Sequence, residues 1–308
     1  MIERLQRWAT DQGYRVGWGP LEVIAAAFAD VEARRISRVL DAYASESFSS
    51  EGAESVRARG LISVVVVVKP RSAHSVLFEL DGEPLETLLP PTYFRYQNIF
   101  EEVRKDLSER GLPGAQVETL RAPLKQVASR LGLVSYGRNN VTYAPGPGSY
   151  FQLLGYLTDA GLPLPNGWQP SEPALLPTCQ TCRACLDDCP TGAIEEDRVL
   201  LNAERCLTFT NENPGPWPPW IGPKAHHCLL GCLRCQRCCP ENPELFVERT
   251  GVVFTREETR ELLAGSGDHL GPVWDGLRGK LALLGQPGAE TVLERNLGAL
   301  VANREMTS

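Results

Sequence analysis

The sequence predicts an α+β protein with more than one domain, and three observations support this. The chain has 308 residues, which is longer than most single domains. Before residue 165, segments with the pattern of strands alternate with segments of helical period. All ten cysteines lie between Cys179 and Cys239. Thiol chemistry is therefore confined to one segment of the chain.

Composition narrows the class of protein. Hydrophobic residues make up 43% and charged residues 22% of the chain, which is typical of a globular protein and excludes a coiled coil or a disordered chain. The net charge of −7 disfavours a surface that mostly binds phosphate backbones. The longest apolar run, residues 23–29, is too short to cross a bilayer, and the N-terminus lacks a secretory signal. We therefore expect a cytoplasmic protein without a membrane anchor.

The first predicted elements are a helix and a strand. Residues 1–13 predict an amphipathic helix that ends at Gly13. Residues 61–68 predict a strand buried on both faces, because β-branched side chains crowd a helix and suit a pleated sheet. Pro70 ends this strand, and we expect a polar, proline-containing loop up to residue 92.

The next elements complete the N-terminal domain. A helix is expected from about Tyr93 to Gly111, a short strand over 116–119, a helix from Ala122 to Gly132 and a strand over 151–157. Glycines accumulate between the last two. Glycine at this density indicates tight turns, or backbone brought close to a large flat ligand.

A proline-rich connector over 163–177 predicts a domain boundary. Three amphipathic segments near the C-terminus predict helices over 257–264, 273–284 and 290–302. The expected division is a ligand-binding α/β domain over 1–165, a cysteine-rich domain over 170–248 and a helical segment over 249–308.

The cysteine-rich segment opens with the spacing of bacterial ferredoxins. The pattern C-x2-C-x2-C-x3-C-P is formed by Cys179, Cys182, Cys185, Cys189 and Pro190. Three thiolates at this spacing hold three irons of one cubane, and the fourth binds the other cluster. Zinc is the alternative, since paired C-x2-C elements also form tetrahedral sites. Because zinc does not need the whole run, the pattern favours iron–sulfur clusters.

A second run, Cys232-x2-Cys235-x3-Cys239-Pro240, lacks the first cysteine of the pattern. Exchange of the fourth ligands predicts one 4Fe–4S cluster on Cys179, Cys182, Cys185 and Cys239. The other cluster takes Cys189, Cys232 and Cys235. Its remaining ligand is either Cys206 or Cys228, and Cys238 is then a spare thiol. His226 and His227 are expected to form hydrogen bonds beside the clusters.

Three segments of the sequence in and around the cysteine runs resemble those of a known family. The segments 185–194, 205–208 and 231–242 are similar to those of epoxyqueuosine reductases, a family related to reductive dehalogenases. The resemblance extends over about residues 55–245. It includes a similarity to V-D-[ST]…P-[VL]-L-E…G-L-G-W-x-G-K-N at residues 117–139, and it places a cysteine where Cys206 stands.

The resemblance implies a nitroreductase-like α/β sandwich, a ferredoxin-like double-cluster domain and C-terminal helices. It also implies a cobalamin beside the two 4Fe–4S clusters, with Glu118 as the catalytic acid. The implied corrinoid-binding residues are Tyr96, Gly132, Ser135, Tyr136, Gly137, Arg138, Asn139 and Ser149.

The chain departs from the family pattern at its proposed acid. Glu118 stands where the family has Asp, which moves the carboxyl group outward by one methylene. Val134 and Ser135 replace Gly and Trp of the family, and Arg138 replaces Lys. The C-terminal segment around Arg295 also resembles compact relatives more than the longer tRNA-modifying enzymes.

Three hypotheses follow. The first is a cobalamin-dependent iron–sulfur reductase of a small or nucleoside-like substrate, supplied with electrons by a low-potential ferredoxin or flavodoxin. The second is an epoxyqueuosine reductase acting on tRNA, which the departures disfavour. The third is an electron-transfer protein that serves a partner enzyme.

Overall fold

The structure is a computed structural model that describes residues 1–36, 53–196, 201–265 and 270–305. Its helices are α1 (Ile2–Asp11), α2 (Glu22–Ile36), α3 (Ala53–Ala58), α4 (Tyr96–Asp106), α5 (Leu124–Arg130), α6 (Ala184–Asp187), α7 (Leu207–Glu212), α8 (Arg234–Arg237), α9 (Arg256–Ala264), α10 (Pro272–Leu284) and α11 (Glu290–Glu305). Its strands are β1 (Arg15–Pro20), β2 (Ser63–Pro70), β3 (Ala73–Phe78), β4 (Leu85–Leu89), β5 (Val117–Thr119), β6 (Ser135–Tyr136), β7 (Thr142–Tyr143), β8 (Phe151–Thr158) and β9 (Val247–Phe254).

The chain divides into two compact units. Unit 1 contains Met1–Arg71 and Asn98–Arg183, and unit 2 contains Ser72–Gln97, Ala184–Glu196 and the chain from Leu201 onward. The predicted division into 1–165, 170–248 and 249–308 follows the order of the sequence, whereas each of these units combines separate stretches of the chain. The reason is a parallel pairing between β3 and β9, which are far apart in sequence. Such a long-range pairing leaves no local sequence signal.

Unit 1 is built on an antiparallel sheet with the strand order β1-β2-β8-β5. The five valines 64–68 of β2 are completely buried, as predicted for a central strand. Each buried valine side chain contributes roughly 1.5–3 kcal/mol through the apolar surface that it removes from water. The core of this unit also includes residues from α2 and α5.

Strand β1 was not predicted, because its sequence contains two glycines. A Cβ atom on Gly17 would lie 2.9 Å from the side chain of Leu133, and one on Gly19 would lie 2.7 Å from Leu131. The glycines therefore permit close packing of the chain that follows α5 against this edge strand. In this case the glycines indicate a packed strand and not a loop.

Unit 2 contains a second sheet with the order β4-β3-β9 and the three C-terminal helices. The predicted polar loop up to residue 92 is wrong, because it contains β3 and β4. Pro84 and Pro90 flank β4, which is an edge strand, where the missing N–H of proline is tolerated. Phe78 and Phe254 stack with ring centroids 4.6 Å apart in the core of this unit.

The helices predicted at both ends of the chain are confirmed. Leu5, Trp8 and Ala9 are the buried face of α1. Helix α9 begins with a capping box in which the Thr255 hydroxyl accepts from the Glu258 N–H and the Glu258 carboxylate accepts from the Thr255 N–H. None of the described helices is long and apolar enough to cross a membrane.

Candidate metal centre

The cysteines lie on short helical turns and the loops between them. Cys179 is on a 3-10 turn at Pro177–Gln180, Cys185 is on α6 and Cys235 is on α8. All ten cysteines are free thiols. Short turns suit a cluster, because they let successive thiols converge while leaving backbone N–H groups near the sulfurs.

Five of these thiols interact electrostatically within unit 2, around Cys235. The pKa of Cys235 is raised well above its usual value, first by burial and then by Cys232, Cys206, Cys185 and Cys189. Burial raises the pKa of Cys232 to about 12, and Cys206 and Cys189 also raise it. Since buried thiolates are costly without a cation, this group of sulfurs is suited to a metal that would offset their charge.

Cys206 has the better environment of the two candidates for the remaining ligand. It caps the N-terminus of α7, and hydrogen bonds from Thr208 and Phe209 lower its pKa against the larger effect of burial. A helix N-terminus favours a thiolate. The pKa of Cys228 is raised by burial, and Cys232 is the one cysteine of the described chain that adds to that shift. Cys206 therefore remains the predicted fourth ligand beside Cys189, Cys232 and Cys235.

The other predicted ligand set is shared between the units. Cys179 and Cys182 belong to unit 1, whereas Cys185 and Cys239 belong to unit 2, and this set remains a prediction. Within unit 1 the backbone N–H of Arg138 donates to the Cys179 sulfur at 3.4 Å, and its guanidinium donates to the Cys179 carbonyl at 2.5 Å. Hydrogen bonds to a ligand sulfur tune the potential of an iron–sulfur cluster.

His227 forms hydrogen bonds beside the second set, as expected. Its Nε2 accepts from the Leu233 N–H at 3.0 Å and lies 3.8 Å from the Cys232 sulfur. Its Nδ1 lies 2.9 Å from the Ala225 carbonyl and is therefore the protonated nitrogen. His226 packs on Trp217 with ring centroids 4.0 Å apart.

Glu118 lies on β5, at the edge of the sheet of unit 1. Its carboxylate contacts Arg59 at 3.1 Å and accepts from the Gln116 amide at 2.6 Å. Glu118 pairs with Leu157, near the end of β8 that is opposite to Phe151. At about 3.3 Å per residue, the six residue steps from Leu157 to Phe151 span roughly 20 Å, and Ser149 lies two residues before Phe151. The register therefore does not bring these two predicted site residues together.

The other predicted corrinoid contacts of unit 1 take part in its own packing. Gly132 ends α5 at φ +71°, where glycine is the usual residue. A Cβ atom on Gly137 would lie 2.5 Å from Tyr143, whose hydroxyl accepts from the Asn139 amide. Tyr136, Asn139 and Ser149 are buried, and Ser135 pairs with Tyr143 in a two-stranded ribbon. These residues are accounted for without a corrinoid.

Tyr96 belongs to unit 2, where it lines a cavity of about 640 Å³. Glu212 and Gln286 also line this cavity and were missed by the sequence analysis. Glu212 follows Cys206 by six residues and ends α7, but it matches no metal-ligand or catalytic motif. Within the described ranges, no three His, Cys, Asp or Glu side chains are grouped as ligands of a single metal ion.

The comparisons agree with the cysteine pattern. Residues 178–242 match the model of a 4Fe-4S double cluster binding domain. The fold and this segment define a protein that carries two 4Fe–4S clusters.

The relatives in sequence are epoxyqueuosine reductases. An epoxyqueuosine reductase of Alicycliphilus denitrificans is 28% identical over 267 residues, which is 79% of this chain and 70% of the relative. The enzymes of Staphylococcus aureus and Bacillus subtilis are each 32% identical, over 43% and 47% of this chain. These two alignments span only 33% and 36% of those relatives.

Solved structures agree with the fold. An epoxyqueuosine reductase from Bacillus subtilis, with its catalytic loop swung out of the active site, has a TM-score of 0.68 at 19% identity. That match covers 98% of this chain and 81% of the other. An epoxyqueuosine reductase with a modified tRNA stem loop has a TM-score of 0.63 at 18% identity, over 98% and 80% of the two chains. In sequence and in fold, the chain is therefore similar to epoxyqueuosine reductases.

Proposed function

We propose that the protein is an iron–sulfur reductase that removes the epoxide oxygen of epoxyqueuosine in tRNA. The observation that carries the proposal is the match of residues 178–242 to a 4Fe-4S double cluster binding domain, in a chain that is similar to epoxyqueuosine reductases. A pair of 4Fe–4S clusters supplies two electrons, which is the number that such a reduction consumes.

The choice of substrate departs from the hypothesis that the sequence favoured. The departures at Glu118 and in the glycine loop disfavoured tRNA, whereas relatives named epoxyqueuosine reductases, one of them with a modified tRNA stem loop, support it. The net charge of −7 is an average over the surface and permits a local contact with RNA. Epoxyqueuosine in tRNA is therefore the first substrate to test, ahead of a free nucleoside.

The corrinoid is the part of the proposal that the family resemblance alone supports. Tyr136, Asn139 and Ser149 of the glycine-rich loop are buried inside unit 1, and we assign no reaction step to a corrinoid. Glu118 remains the proton donor that the resemblance implies. A low-potential ferredoxin or flavodoxin is the proposed source of electrons.

The proposed function is tested with protein purified and reconstituted without oxygen. The reduced protein is mixed with tRNA containing epoxyqueuosine, and the nucleosides are analysed by mass spectrometry. We expect loss of the epoxide oxygen, and visible absorbance shows whether a corrinoid copurifies. Conversion of the free nucleoside alone would favour the small-substrate hypothesis. Reduction of the clusters without conversion of either substrate would favour an electron-transfer protein.

A further inference from the structure

The cavity of unit 2 has a polar wall beside the second ligand set. Its volume of about 640 Å³ is within the range of small-molecule sites, and all its lining residues belong to unit 2. The polar and aromatic part of the lining consists of Tyr93, Tyr96, Gln97, Glu212, Gln286 and Thr291. Such a mixture suits a ligand that has a flat ring and several hydrogen-bonding atoms.

Tyr93 is held in place at three points. Its N–H donates to the Pro90 carbonyl at 3.0 Å, and its carbonyl accepts from the Gln286 amide at 2.5 Å. Its hydroxyl donates to the carboxylate of Glu212. The hydroxyl also lies over Gly231, where a Cβ atom would come within 2.6 Å of it. The side chain is therefore positioned before any ligand binds.

The turn that carries the two tyrosines is strained. Arg95 has a φ of +54°, which is unusual for a residue with a side chain, and its N–H donates to the Leu284 carbonyl. Gly285 permits this approach, since a Cβ atom there would lie 2.6 Å from the Cα of Arg95. Strain of this kind is concentrated at functional sites.

The Tyr93 hydroxyl is protonated at neutral pH, and its contact with Glu212 gives it a neighbour that can return a proton to it. Desolvation raises the pKa of Tyr93 well above its usual value, and Glu212, Cys206 and Cys228 raise it further. Limited hydration at the cavity wall also raises the pKa of Glu212. The tyrosine therefore keeps its proton at neutral pH. Gly231, which it contacts, directly precedes the predicted ligand Cys232, so the donor lies beside the proposed electron source.

We propose that the cavity of unit 2 binds the epoxide-bearing part of the substrate and that Tyr93, supported by Glu212, protonates the departing oxygen. The inference rests on the proposed function. Two electrons from the clusters and two protons break both C–O bonds, form a C=C bond and release the oxygen as water. Tyr93 supplies one proton and regains it through Glu212. The solvent supplies the second proton.

Turnover is the first test, with cluster-replete protein and epoxyqueuosine-containing tRNA. Tyr93→Phe should lower kcat at least about tenfold with little change in KM, because general acid catalysis contributes about 10²–10⁴-fold. Glu212→Gln should change the pH dependence of kcat. Tyr14→Phe and the exposed Glu109→Gln are matched controls and should stay within twofold of the wild-type protein.

Binding is the second test and does not depend on turnover. The oxidised protein, without reductant, is titrated calorimetrically with the epoxyqueuosine nucleoside. Thr291→Trp places a large ring on the cavity wall and should weaken binding at least tenfold, whereas Tyr93→Phe should bind within about threefold of the wild type. Iron content and circular dichroism establish that each variant is folded.

The outcomes separate the two proposals. Wild-type kcat in Tyr93→Phe, or undiminished binding by Thr291→Trp, overturns the inference while the proposed function stands. A wild-type protein that does not convert the tRNA overturns the proposed function, and this inference with it.

Discussion

Glu118 lies on the edge strand β5 of unit 1, and its carboxylate is 3.1 Å from the guanidinium of Arg59. About a third of each side chain is exposed, so the ion pair contributes less than about 1 kcal/mol to stability. The contact fixes the direction of the carboxylate more than it stabilises the fold.

Substitution of Glu118 tests its proposed role as a proton donor. Glu118→Gln should abolish turnover while iron content is unchanged and the free energy of unfolding changes by less than about 1 kcal/mol. Glu118→Asp, which restores the family's residue, should keep part of the activity. Steady-state rates and thermal unfolding check both. Full activity of Glu118→Gln would remove this residue from the mechanism.

We expect the fold to require glycine at position 231, because of the backbone conformation there and because of the close contact with Tyr93. It has a φ of +67°, and an added Cβ atom would meet the tyrosine ring and hydroxyl. Gly231→Ala should destabilise the protein by about 1–3 kcal/mol. The control is Gly279→Ala in α10, where an added methyl group meets open space and should stabilise by roughly 0.5–1 kcal/mol. Chemical denaturation measures both, and equal effects would contradict the expectation.

His226 should make stability depend on pH. Burial, with smaller contributions from Arg295 and His227, lowers its pKa to about 4. The folded state therefore favours the neutral ring, so this contribution is complete above about pH 6.5 and is lost as the pH falls toward 4. The contribution of His226 to the free energy of unfolding is at most about 3 kcal/mol.

The melting temperature of holoprotein between pH 7.5 and 5.5 measures this effect, with cluster absorbance recorded to exclude loss of iron. The wild type should become less stable toward pH 5.5. His226→Phe keeps the ring on Trp217 and should show a smaller slope. An unchanged slope in the variant would show that His226 does not titrate in this way.

Hydrophobic patterns predicted those strands and helices in which the pattern lies within a single continuous segment of the chain. The valines of β2 and the apolar face of α1 are examples, because burial of a short segment dictates its composition. The pairing of β3 with β9 could not be predicted this way, since the residues that pair are more than 170 positions apart. Compact units that combine distant stretches of the chain cannot be predicted from local patterns for the same reason.

The candidate site shows the same limit. Spacing alone located the cluster cysteines and left Cys206 and Cys228 as alternatives. The family resemblance favours Cys206, and its N-cap position on α7 and its neighbouring sulfurs support that choice. Glu212 carried no motif, and its importance follows only from its contact with Tyr93 across the fold of unit 2.

Iron and sulfide analysis of anaerobic wild-type, Cys206→Ser and Cys228→Ser protein tests the central claim most directly. Two 4Fe–4S clusters predict about eight irons per wild-type chain, about four in Cys206→Ser and about eight in Cys228→Ser. Electron paramagnetic resonance of the reduced proteins should show one cluster signal lost only in the Cys206 variant. Zinc in place of iron in the wild-type protein, or full iron content in Cys206→Ser with loss in Cys228→Ser, would contradict the account.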